Sequence, residues 1–80
     1  DFGKMSQSDL IRACYQQCCL LYFDNQRMYN KTIRNRFCLN ESKNNTVSQV
    51  IGATKEAGLI KLDESESKST RYARYLPFWA

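Results

Sequence analysis

The order of local patterns in this chain predicts an α+β domain, three helices followed by a two- or three-stranded antiparallel ribbon. Three observations carry that expectation. Apolar residues recur at helical spacing in three stretches, near residues 10–23, 30–37 and 42–57. Two β-rich segments, Leu59-Ile-Lys-Leu62 and Thr70-Arg-Tyr-Ala-Arg-Tyr-Leu76, then flank a charged loop. The last two helical stretches are joined by a polar connection, Asn40 to Asn45, as in a helix-turn-helix. With the ribbon behind it, this is the pattern of a small winged helix-turn-helix domain, which makes duplex DNA the first partner to consider.

Residues 1–7 read as a linker or the trimmed end of a longer protein, and residues 8–80 as the domain. Ser8 suits the cap of the first helix, with Asp9 in the first turn, where the macrodipole favours negative charge. Up to about Phe23 this helix carries two apolar stripes. Ile11, Cys14, Cys18 and Leu21 form the expected core face, while Tyr15, Cys19 and Tyr22 form a second. A surface helix seldom has two such faces. The first helix is therefore expected either to be nearly central or to meet another domain or a second copy.

Asp24-Asn-Gln26 breaks the pattern, and Arg27-Met-Tyr29 reads as a short strand edging the ribbon. Asn30 is the expected cap of the second helix, which places Ile33 and Phe37 on one face and runs to about Phe37. Ser42, with Asn44 or Asn45 as alternatives, is expected to cap the third. That helix turns Val47, Val50, Ile51, Thr54 and Ala57 to one side, and Gly58 closes it in the left-handed conformation. Gly52 inside it weakens the helix by roughly 1 kcal/mol relative to alanine. Its expected reason is close approach of a backbone, that of the first or second helix or of DNA. Pro77 is expected to end the ribbon, since it cannot donate to a ladder. Phe78 and Trp79 then fold back on the first helix, because a small core needs their area.

Eighty residues, 42% of them hydrophobic, allow one small domain with a modest core. No run of eighteen apolar residues exists to span a membrane, and Asp1-Phe-Gly-Lys-Met lacks the apolar core of a secretory signal, so the expected compartment is the cytoplasm. The net charge of +4 is unevenly placed: residues 1–26 sum to −1 and residues 27–80 to +5. The positive excess thus lies on the helix-turn-helix and ribbon, where phosphates would be met.

Four cysteines raise the question of zinc. Cys14 and Cys18 are four apart in a helical segment, the two-residue knuckle of structural zinc sites is missing, and there is no His. Core thiols are the expectation, with no metal and no cofactor. Asn30, Asn40 and Asn44 match the glycosylation pattern, but turn and capping roles are the better use of these side chains. Catalysis finds no support either: no His, no paired carboxylates in an apolar setting, no nucleophile with an evident base. The domain is not expected to be an enzyme.

If the third helix enters a major groove, the face opposite Val47 and Ile51 presents Asn44, Asn45, Ser48 and Gln49 as candidate base contacts. Lys31, Arg34, Lys43, Lys55, Arg71 and Arg74 are the candidate phosphate contacts. Three acids of the ribbon loop, Asp63, Glu64 and Glu66, would repel phosphate at its tip. The loop from Asp63 to Ser69 is polar and of low complexity, and is expected to be mobile. Protein contact through the first helix, with or without DNA binding, is the alternative.

Several segments together resemble a known group. They are Asp9-Leu-Ile-Arg-Ala-Cys-Tyr15, Asn30-Lys-Thr-Ile-Arg-Asn-Arg-Phe37, Val47-Ser48, Ala57-Gly-Leu-Ile60 and Ala73-Arg-Tyr-Leu-Pro-Phe-Trp-Ala80. The chain is similar to the C-terminal domain of bacterial and archaeal transcriptional regulators that carry an upstream Schlafen-type (divergent AAA) domain. Such proteins are often labelled as related to the RecG ATP-dependent DNA helicase. The resemblance implies a DNA-binding winged helix at the end of a longer protein, partnered by its own upstream domains. It does not carry the helicase activity to these residues, since no G-x-x-x-x-G-K-[ST] phosphate loop is present. Two features depart from the group. Cys38 stands where a glycine is usual, and the connection from Asn40 to Asn45 is long.

Overall fold

Helix α1 (Gln7–Phe23) is seated on helix α3 (Asn44–Glu56), and this seam organises the computed structural model. Residues 2–65 and 73–80 are described. Between α1 and α3 lies the short helix α2 (Asn30–Arg36). Strands β1 (Ile60–Leu62) and β2 (Tyr75–Pro77) follow, paired antiparallel with Lys61 opposite Leu76. Among the described residues, the result is a small α+β domain of three α-helices and a two-stranded sheet.

The core is built from the stripes that periodicity marks. Cys14 and Cys18 of α1 meet Val47, Val50 and Ile51 of α3, with Met28, Ile33 and Ile60 closing the cluster. Thr54, fully buried, satisfies its hydroxyl by donating to the Val50 carbonyl one turn back (2.8 Å). Ala57, expected on this face, is exposed beyond the helix end. Gly58 takes φ +79° and its amide bonds the Lys55 carbonyl, which closes α3 as expected.

Helix starts differ from expectation in informative ways. Ser6, not Ser8, caps α1 by accepting the Asp9 amide at 3.2 Å, so the helix begins earlier, at Gln7. At α2 the cap position is Tyr29. Its amide donates to the Thr32 hydroxyl (3.1 Å), which leaves the Asn30 side chain for other work. Before α3, Asn40 caps a 3-10 turn (Glu41–Lys43) through the Ser42 amide, and Ser42 itself caps nothing. The long polar connection is thus ordered by its own side chains.

Cys38 adopts φ +57°, the conformation in which glycine is at ease and other residues are strained. A turn that wants glycine is therefore made here by cysteine. Gly52, in contrast, has no close neighbour: a Cβ built there would meet nothing within 4 Å. The expected approach of α1 or α2 does not occur, and Gly52 lies exposed on the outer side of α3.

Both strands are shorter than expected, and Pro77 belongs to β2. The flanking bonds, Asp63 N–H to Arg74 C=O and Phe78 N–H to Leu59 C=O, put the bonded positions at even numbers in β2. Pro77, opposite Ile60, falls between them and its missing N–H costs the ladder nothing. Met28 supplies the expected edge contact as one bridge, accepting the Tyr75 amide at 2.9 Å. In the leading segment, Phe2–Lys4 form a 3-10 turn, and Phe2 sets its ring edge-on to Phe37 at 5.2 Å.

The tail lies on α1, as its aromatic content suggests. The Trp79 indole N–H donates to the Tyr15 hydroxyl (2.9 Å), and its ring meets Tyr22 at 5.4 Å. Trp79 nevertheless remains 44% exposed, so it is an anchor and not a plug. Trp79→Ala should cost about 1–2 kcal/mol, from a partly buried aromatic and its hydrogen bond. In an 80-residue chain that lowers Tm by about 5–15 °C, which thermal unfolding followed by circular dichroism will measure.

Candidate nucleic-acid interface

Because Val47, Val50, Ile51 and Thr54 are buried, the helical period turns Asn45 and Gln49 directly outward, flanked by Asn44 and Ser48. All four polar residues are exposed. They occupy the N-terminal half of α3 and form one continuous polar face.

This face is not left to itself. The Asn30 side chain reaches from α2 and donates both to the Asn44 carbonyl (3.0 Å) and to the Ser48 hydroxyl (2.9 Å). Its carbonyl oxygen accepts from Arg34 Nε at 2.7 Å. Asn30 is thus a clamp that fixes the start of α3 against α2. Sequence reasoning assigned it to a helix cap and missed this role, because no local pattern encodes a bridge from one helix to the start of another 14 and 18 positions on. Ser48 keeps a hydroxyl proton for a base edge, while its oxygen already serves the clamp.

The cations divide into two kinds. Lys31, Lys43 and Lys55 are exposed, Lys43 just ahead of α3 and Lys55 in its last turn. Lys43 and Lys55 lie about 18 Å apart along the α3 axis at about 1.5 Å per residue. Arg34 and Arg74 are half-buried and engaged. Arg34 supports Asn30, and the Arg74 guanidinium stacks 3.6 Å from the Tyr29 ring centroid. Arg71 and Glu66 lie outside the described residues, as does most of the ribbon loop.

Asp63 corrects one expectation. It is 6% exposed, pairs with Arg27 Nε at 2.8 Å, and accepts the Ser65 amide and hydroxyl. It is a structural tie between β1 and the α1–α2 connection, not a repelling acid at a loop tip. The Ser65 hydrogen bond and then the Arg27 guanidinium hold its carboxyl below the usual carboxylate range. Arg27 in turn helps line a cleft of about 500 Å³, together with Asn25, Gln26, Tyr29, Thr32 and Arg74.

The thiols split by environment. Burial pushes Cys14 up to about 11 and Cys18 up to about 12. The Cys14 thiol faces the Met28 sulfur at 3.7 Å. Cys38 is exposed at the turn. Among the described residues, no helix is long and apolar enough to cross a membrane.

Comparison with protein-family models, with curated proteins and with solved structures returns no match, so the interface rests on its own geometry.

Two measurements test these environments. Asp63 is favoured ionised in the folded state, so its contribution is present above about pH 4 and lost as pH falls toward its lowered value. Asp63→Asn should lower Tm at neutral pH and flatten the decline below about pH 4 relative to the parent. Parallel profiles would contradict the tie. Alkylation of the native chain at about pH 8 should label Cys38 first and spare Cys14 and Cys18, since the thiolate is the reactive form; peptide mass spectrometry reads the order.

Proposed function

We propose that this chain is a winged-helix module that binds duplex DNA, with the N-terminal half of α3 in the major groove. The exposed row of Asn44, Asn45, Ser48 and Gln49, held by the Asn30 clamp, is the observation that carries the reading. Amide side chains at that position suit adenine edges, and Ser48 suits several bases. Lys31, Lys43 and Lys55 would meet phosphates directly. Arg34 and Arg74 would do so through guanidinium groups already positioned by Asn30 and Tyr29, with Arg71 a further contact. Under this reading, and in keeping with the resemblance to Schlafen-type regulators, the module serves transcriptional regulation beside upstream domains. Any ATP-dependent activity would belong to those domains.

A second reading has its own support. Leu20 is 65% and Phe23 76% exposed, on the side of α1 turned away from α3, with Phe78 and Trp79 close by. Such a patch suits protein contact, either with upstream domains or with a second copy.

Binding to random duplex should be salt-sensitive, with log K falling against log salt at a slope near about −4 for four or five phosphate contacts. Asn45→Ala or Gln49→Ala should change sequence preference by about 1–3 kcal/mol at one or two positions, whereas Lys43→Ala should weaken all sequences alike. Fluorescence anisotropy on a labelled duplex measures both. No binding at about 50 mM salt, where such contacts are strongest, would leave protein contact as the better reading.

A further inference from the structure

The outer side of α1 is complementary to itself. Arg12, Gln16, Leu20 and Phe23 are exposed and follow one another at helical spacing, so they form one line along the outside of the helix. From Ala13 to Phe23 the helix carries no Asp, Glu, Lys or Arg. Charge stands only at the two ends of this line, positive at Arg12 and negative at Asp24, and both side chains are exposed. Neither forms an ion pair among the described residues. We propose that this face pairs with the same face of a second copy, α1 against α1 and antiparallel, as a twofold dimer. The proposal takes its surface from the protein-contact reading and adds the occupant; it does not depend on DNA binding.

Charge selects both the partner and the direction. A twofold axis at the level of Cys18 sets Arg12 of each copy opposite Asp24 of the other, because 12 and 24 are equally far from 18. Asp9 then falls past the end of the second copy's helix, which stops at Phe23. A parallel pair would put like charges together at both ends, which is unfavourable. A different protein would have to carry an acid and a base at this same separation around an apolar centre. A second copy carries them already.

The apolar area is sufficient for such a pair. Leu20 (65%), Phe23 (76%), Phe78 (52%) and Trp79 (44%) together expose about 450 Å² on each copy, taking roughly 150–250 Å² for a large side chain. Two copies bring about 900 Å² from these four side chains alone, close to the roughly 1,000 Å² in total that a specific interface buries. The aromatic flank is also set before pairing. Phe78 stacks on Tyr15 at 6.3 Å, and Trp79 lies 5.7 Å from Phe23 while its indole N–H is held by the Tyr15 hydroxyl. Side chains already in place lose less freedom when a partner arrives.

Sedimentation equilibrium should show a reversible monomer–dimer equilibrium below about 1 mM, the range of a weak interface. Trp79, the only tryptophan, should shift its emission to the blue as dimer forms. Leu20→Glu should raise the dissociation constant about tenfold or more, with the circular dichroism of the parent retained because this side chain is exposed. Arg12→Asp and Asp24→Arg should each weaken pairing about three- to tenfold, since each sets like charges together at both ends. An equimolar mixture of these two variants should recover the parent affinity, because every charged contact then joins an acid to a base. Recovery in the mixture supports the antiparallel pair. A chain that stays monomeric to about 1 mM overturns the proposal and leaves the α1 face to a partner of another sequence. A dimer that survives Leu20→Glu puts the contact elsewhere and sinks the protein-contact reading of α1 as well. Dispersal by Leu20→Glu without recovery in the mixture overturns the antiparallel pairing.

Discussion

The seat of α1 on α3 is the contact from which the other features of this domain follow. At the seam α1 presents two thiols, Cys14 and Cys18, small enough to let α3 bring Val47, Val50 and Ile51 close. Met28 fills the remaining space and does more than pack. Its sulfur meets Cys14 and its carbonyl accepts the Tyr75 amide, so one buried residue joins α1 to the edge of the sheet. Once α3 is fixed by four buried side chains, its polar residues have only one direction to face.

Much of this was legible in the chain. Period alone marked Cys14, Cys18, Val47, Val50, Ile51 and Thr54 as core, because burying one face of a helix leaves a repeat that survives without structural information. Gly58 was legible for the same kind of reason, since few residues accept its φ. What sequence did not show are choices among equals. Several Ser and Asn residues can cap a helix, and tertiary contacts decided that Ser6 and Asn40 do so while Asn30 bridges to α3. Asp63 was misjudged because its partner, Arg27, lies 36 positions away. No local pattern encodes such a pair. Pro77 misled through a rule applied without register: a proline is unwelcome only where the ladder needs its N–H.

The domain keeps two unlike surfaces apart. The outer side of α3 is polar, flanked by lysines and supported from behind by Asn30 and Arg34. The outer side of α1 is uncharged from Ala13 to Phe23 and is only partly covered by the tail. An 80-residue chain that leaves Phe23 and Leu20 in water forgoes stabilisation worth roughly 1.5–3 kcal/mol for each such side chain it could bury. That cost is best understood if the α1 face serves a contact while α3 serves another, and it gives the strained turn at Cys38 and the open Gly52 a common setting. Both lie where the chain serves α3's placement or its outer face rather than its core.

In the proposed reading, nucleic acid is met at the polar face of α3. Mapping backbone amide shifts on adding a short duplex at low salt is the decisive measurement, because every element reports separately in one experiment. Recognition through α3 predicts shifts at Lys43 through Gly52 and at Asn30 and Lys31, with the α1 segment from Ala13 to Phe23 unmoved. Shifts confined to Leu20, Phe23 and Trp79, with α3 silent, would contradict it.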